Sequence, residues 1–369
     1  MPASLPLTAH AQGAPVGVGD SILNRLLQEY RRRPVVRDFA PGDKLGEYAD
    51  QCRVATGIVL PPTFSCGDGV EVPGQGSVPR GTACDHPNVL NSVCDPGSRF
   101  QVLAGRSADA VAVAHCRKNG QSQSGSLYND IAIIQYNKSN GAVCFYQALD
   151  TGMPGTNIPS PSAGDGALWA DRQVHWLSPA TTHGTGCTFC HDNGGFIRSN
   201  YIAQLRTPPH AMPNEADGYS NATSPLRYVG SDFASDRSWS IVTSNSAGDT
   251  GGSCASCHRL AVNNASPAPH GTALDFALRA TARTQASKNP HSPTSPIWMR
   301  PGQVVFQDGA AATAMRFHDC AAGFKASNFT VPPPGCQFQP LGVAWTPPPV
   351  VPQSGSKSGI VPIIDYYLN

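Results

Sequence analysis

The period of the apolar positions changes along the chain. Residues 20–34, DSILNRLLQEYRRRP, place Ile22, Leu23, Leu26, Leu27 and Tyr30 at helical spacing. Asp20 offers an N-cap and Pro34 a stop, and Arg31, Arg32 and Arg33 suit the negative end of a helix dipole. From about 48 the pattern is that of strands. ADAVAVAHC, NDIAIIQYN and GAVCFYQAL read as three strands of a meander. Asn140-Gly141, between the last two, favours a tight type I′ hairpin turn. Ahead of them PPTFSCGDGVEVPGQGSVPRGTACDHPN reads as irregular loops. Residues 151–166 are rich in Pro, Gly and Ser without period, as in a linker. Helices after that look short: one around GCTFCH running into FIRSNYIAQLR, another over 273–287 with Leu274, Leu278 and Ala282 on one face. From 320 the chain turns Pro-rich. The predicted organisation is a tail and helix (1–47), a β-rich part (48–150), a linker (151–166), a mainly α region (167–319) and an extended Pro-rich tail (320–369).

Composition narrows this picture. The 369 residues suffice for two domains, and 40% hydrophobic content allows a core despite 37 Gly and 34 Pro. Formal net charge is +1 with no basic stripe, which argues against a nucleic-acid footprint. No apolar run reaches the length of a transmembrane span. Twelve cysteines are many for a reducing compartment. Four sit in two short motifs, and Cys52, Cys66, Cys84, Cys94, Cys116, Cys144, Cys320 and Cys336 remain. Eight cysteines allow 105 pairings; nearest neighbours predict 52–66, 84–94, 116–144 and 320–336. The AHA preceding QGAP near the N-terminus is compatible with a small-residue leader cleavage site.

The two motifs are GCTFCH and SCASCH. Each has two thiols with two residues between them and a histidine directly after. That spacing suits covalent haem attachment, with the thiols adding to the two vinyl groups and the imidazole reaching the iron. Chance would place one CxxCH in such a chain on the order of 0.01 times. A thioredoxin-like pair needs a βαβ context that HGTGCTFCHDNGG does not offer. A zinc site built from two Cys pairs leaves both histidines unexplained. The chain lacks GxxxxGK[ST], HExxH and GxSxG.

On these motifs the chain resembles di-haem c-type cytochromes. The resemblance covers the motif region and implies two haem c groups. One would be held by Cys187, Cys190 and His191, the other by Cys254, Cys257 and His258, with the two histidines as proximal iron ligands. It implies a mainly α di-haem cytochrome c-like domain over 167–319, redox partner proteins or neighbouring cytochrome subunits, and a periplasmic or extracellular place in a bacterium.

Distal ligands decide what such haems do, because a doubly ligated iron passes electrons and an open face binds peroxide or oxygen. His210 in RTPPHAMPN and His291 in ASKNPHSPTSPIWMRPG are the first candidates. Met212, Met299, His175, His183, His270, His318 and Met315 are the alternatives. His10, His86 and His115 read as surface or hydrogen-bonded core residues. Arg198, Arg206, Arg259 and Arg300 are candidates for the haem propionates, and Asp192 for local hydrogen bonding. The leading functional expectation is an exported electron-transfer cytochrome. A di-haem peroxidase or oxygenase and a subunit of an extracellular cytochrome filament are the rivals.

Overall fold

A computed structural model of the chain describes residues 45–71, 95–105, 109–119, 121–163, 176–192, 195–196, 226–243, 261–264 and 310–340. Several expectations lie outside these residues. They are the helix over 20–34, the leader site, the Cys84–Cys94 pair, the whole second motif with Cys254, Cys257 and His258, and the helix over 273–287. His10, His86, His175, His210, Met212, His270, His291, Met299 and the four candidate arginines also fall there, as do the side chains of Cys190, Met315 and His318.

The described residues open with a helix that the strand-like reading from 48 onward does not contain. α1 (Leu45–Thr56) buries Leu45, Tyr48, Ala49, Cys52 and Thr56, one stripe at steps of three and four. It ends at Gly57, whose φ of 71° lets its N–H return to the Arg53 carbonyl. Then come β1 (Thr63–Phe64), β2 (Val70–Glu71), β3 (Arg99–Ala104), β4 (Ala110–Arg117), β5 (Leu127–Asn137), β6 (Ala142–Pro154) and β7 (Ile158–Pro159). Further on lie α2 (Pro179–Gly184), α3 (Cys187–Cys190), β8 (Arg227–Tyr228), β9 (Ser238–Thr243), β10 (Ala261–Asn263), α4 (Ala310–Ala326) and β11 (Gln337–Pro340).

The main sheet has the order β2-β3-β4-β5-β6-β8, antiparallel except for the last pair. The β4-β5-β6 meander is the one read from the pattern. Its hairpin loop differs, because Lys138–Gly141 intervene and only Gly141 takes positive φ (75°). Side chains hold this longer loop. Asn137 accepts from the Ser139 N–H, and Asn140 accepts from the Ala142 N–H.

Both faces of this sheet are covered, so β4 and the first half of β6 are nearly continuous buried runs. Register assigns the faces. Cys116, Ile131 and Ala148 share one face with Ala114, Ile133 and Tyr146, and with Ala112, Gln135 and Cys144. α1 lies on this face through Cys52–Cys144 and Tyr48, whose ring meets Tyr146 edge-on at 5.3 Å. Buried Trp176 joins it, donating to the Pro159 carbonyl at 2.8 Å. The opposite face presents His115, Arg117, Asp130, Tyr136, Phe145 and Gln147.

Two expected disulfides are overturned. Cys52 bonds Cys144 and Cys66 bonds Cys116. Cys116 and Cys144 share a face but are two strands and four residues out of register. That is roughly 16 Å at ordinary strand spacings, too far to bridge. Cys320–Cys336 forms as expected. It ties α4 to a second sheet of order β10-β9-β11, over a small core of Ile241, Val262, Ala321 and Phe324.

The mainly α reading of 167–319 is likewise corrected. Among the described residues strand exceeds helix. In that region α2 and α3 are six and four residues long and are followed by β8, β9 and β10. Ser238–Thr243, SWSIVT, is β-branched and aromatic, and it pairs on both sides. The stretch expected as a linker carries the end of β6 and β7, with Met153 and Ile158 fully buried. The expected extended tail contains the end of α4, and β11.

Candidate functional site

The first motif sits on the second face of the main sheet. Ser178 caps α2 by accepting from the Thr181 N–H, with Pro179 at the first helical position. α2 must end before the motif, and Gly186 (φ 82°) makes the break. α3 is the single turn Cys187–Cys190, and the His191 N–H closes it by donating to the Cys187 carbonyl at 3.0 Å. One helical turn thus carries the backbone of both cysteines and the histidine, as CxxCH requires.

His191 packs on Phe145 of β6, ring centroids 5.4 Å apart. Its Nδ1 lies 3.0 Å from the Gly195 carbonyl. A carbonyl only accepts, so the proton belongs on Nδ1 and Nε2 keeps its lone pair. Among the described residues nothing hydrogen-bonds that Nε2. Burial lowers the imidazole to about 4, and the Gly195 bond offsets this only in part. His191 is therefore neutral at physiological pH, with Nε2 as the available ligand atom. The Tyr228 hydroxyl donates to the His191 carbonyl at 3.1 Å and holds the backbone from the other side.

Cys187 is a free thiol. Its sulfur donates to the Thr182 carbonyl at 3.8 Å and lies 3.4 Å from the Thr185 hydroxyl. Burial pushes the thiol pKa up, with the Thr185 contact acting in the opposite sense. A thioredoxin-like or nucleophilic cysteine needs surroundings that lower it, so the thiolate rival loses ground here.

Sequence reasoning missed the braces around this turn. His183, an alternative distal ligand from the sequence, has its Nε2 at 2.9 and 3.0 Å from the two oxygens of Asp236. The nitrogen an iron would use is engaged there. Thr188 donates to the same carboxylate at 2.5 Å, so Asp236 clamps α2 to α3. Asp192 is fully buried and accepts from Asn263 of β10 at 3.0 Å, a long-range bond. Asp236 and Asn263 lie far along the chain from the motif, and no local spacing announces them. His115 also differs from its reading, because its buried Nε2 has no hydrogen-bond partner among the described residues. Buried polar atoms are normally paired, and an unpaired one costs about 1–3 kcal/mol. Among the described residues no group of three His, Cys, Asp or Glu is placed to hold a bare metal ion.

Two expected outcomes arise directly. A Cβ on Gly195 would overlap the Tyr136 ring, its Cβ 2.6 Å away. Gly195→Ala should push the segment off the sheet, cost about 1–3 kcal/mol by overpacking, and displace the carbonyl that orients His191. Urea unfolding and haem loading of that variant check both effects. The second concerns pH in haem-free protein. Burial holds His191 at about 4 and His115 well below the usual 6.5. Between those values the unfolded chain binds protons that the folded one does not, so stability falls as pH drops from 6.5 towards 4 and is retained above 6.5. A urea midpoint that stays level across that window contradicts the assignment.

Compared with protein-family models, with curated proteins and with solved structures, the chain matches none.

Proposed function

We propose that the chain is an exported di-haem c-type cytochrome that carries electrons, with Cys187, Cys190 and His191 holding the haem described next and Cys254, Cys257 and His258 holding the other. The observation that carries this reading is the state of His191. It is half-buried, neutral, fixed by Nδ1 to the Gly195 carbonyl, and follows the cysteine pair on the same turn. Metal-bound histidines ordinarily make such a second bond, which fixes the tautomer and the ring plane. The residues present fit the group. The sequence supplies both thiols, and Cys187 is unbonded to any other cysteine while six of the described cysteines are paired.

A bound haem would supply a one-electron iron centre. The chain's own residues orient and enclose it. Gly195 sets the imidazole plane, Phe145 backs the ring, and Asp236 keeps α2 and α3 in register through His183 and Thr188. The three disulfides support export, since such bonds persist in oxidising compartments. Among the described residues no helix is long and apolar enough to cross a membrane.

The test is chemical haem counting on protein exported with a cytochrome c maturation system. Two haems that resist acid–acetone extraction, reducible and reoxidisable without peroxide turnover, are the expected result. Colour that extracts completely would overturn the reading. Steady turnover with peroxide and an electron donor would favour the enzyme instead.

A further inference from the structure

His115 is the imidazole that the main sheet leaves without a bond. It lies on β4, on the face that carries the first motif. Register places it beside Phe100 of β3 and Ala132 of β5, and across Ala132 stands Gln147 of β6. Phe145, against which His191 packs, is two residues from Gln147 on that same face. Two strand spacings and two residues separate His115 from Phe145, about 12 Å between their backbones. The Phe100 ring meets His115 edge-on at 6.4 Å, and among the described residues the buried Nε2 finds no donor or acceptor. Arg117, the next residue on this face of β4, is ion-paired with Asp130 of β5 at 2.8 Å. His183 shows the contrast, for its nitrogen is already taken by Asp236.

We propose that His115 supplies the second axial nitrogen to the haem held by Cys187, Cys190 and His191. The inference rests on the haem reading and deepens it. An iron closed by imidazoles on both faces is low-spin and leaves no position for peroxide, which favours electron transfer over the enzyme alternative. It also relieves the unpaired Nε2. The sheet then has a role in the redox site, as the wall that carries the ligand opposite the CxxCH turn. His210 is released from the role that its proline-stiffened segment suggested.

The test uses the full chain, exported and matured, with Cys254→Ala and Cys257→Ala so that only the first haem remains. This protein is expected to be low-spin, with near-infrared magnetic circular dichroism showing two axial imidazoles. Adding His115→Ala should turn it high-spin with the haem still attached, and added imidazole should restore the low-spin spectrum. His115→Met should stay low-spin with methionine–sulfur ligation and a raised potential. An unchanged bis-imidazole spectrum in either variant overturns the inference and leaves the haem reading intact. If neither variant folds, a parent spectrum showing methionine or a single imidazole overturns it equally. A parent that carries no covalent haem overturns both.

Discussion

Removing the two sheet-face disulfides with Cys52→Ala, Cys66→Ala, Cys116→Ala and Cys144→Ala is expected to leave the chain unfolded at 37 °C. The bridges close loops of 92 and 50 residues. In the chain-entropy account each then contributes about 4–5 kcal/mol, so their joint loss rivals the whole stability of an ordinary domain. All four sulfurs are buried on one face. One bridge pins α1 to β6 and the other pins the turn at Cys66 to β4, so the layer over the sheet is released at both ends. Circular dichroism and urea unfolding at matched temperature give the readout. A cooperative transition within about 2 kcal/mol of the parent would show that packing, not cross-linking, holds that layer.

The second large effect joins stability to the site. Phe145 is 2% exposed and touches His191 at 5.4 Å, Phe233 at 5.7 Å and Tyr228 at 6.2 Å between ring centroids. Phe145→Ala is expected to cost about 3–5 kcal/mol, the range for emptying a buried aromatic site. The same change removes the floor under His191, so haem loading at Cys187 and Cys190 should fall more than at the second motif. Phe145→Leu keeps much of the volume and should lose less on both counts. Equal loading of the two haems in Phe145→Ala would separate the sheet from the site and contradict the placement of His191.

Legibility in the sequence followed the reach of each interaction. The β4-β5-β6 meander could be read because alternation and Asn140-Gly141 are local signals. α1 was equally local, with Leu45, Tyr48, Ala49 and Cys52 on one stripe, but the strong strand pattern downstream drew the boundary too early. The disulfides could not be read by proximity, because strand register sets the distance between Cys116 and Cys144 and register is a property of the folded sheet. The CxxCH motif was legible in five residues. Its supports were not: Gly195 orients His191 through a backbone carbonyl, and Asp236 reaches the site only through tertiary packing. The mainly α expectation came from two short helical patterns and from the motif's resemblance, and the strand Ser238–Thr243, paired on both sides, decided otherwise.

The peptide that contains Cys187 and Cys190 gives the most direct test of covalent haem. Protein exported with a haem-maturation system, digested and weighed by tandem mass spectrometry, should yield that peptide with one haem joined by thioethers to both sulfurs. Finding it with two free thiols, or with Cys187 and Cys190 joined to each other, in protein that is otherwise folded would contradict the account.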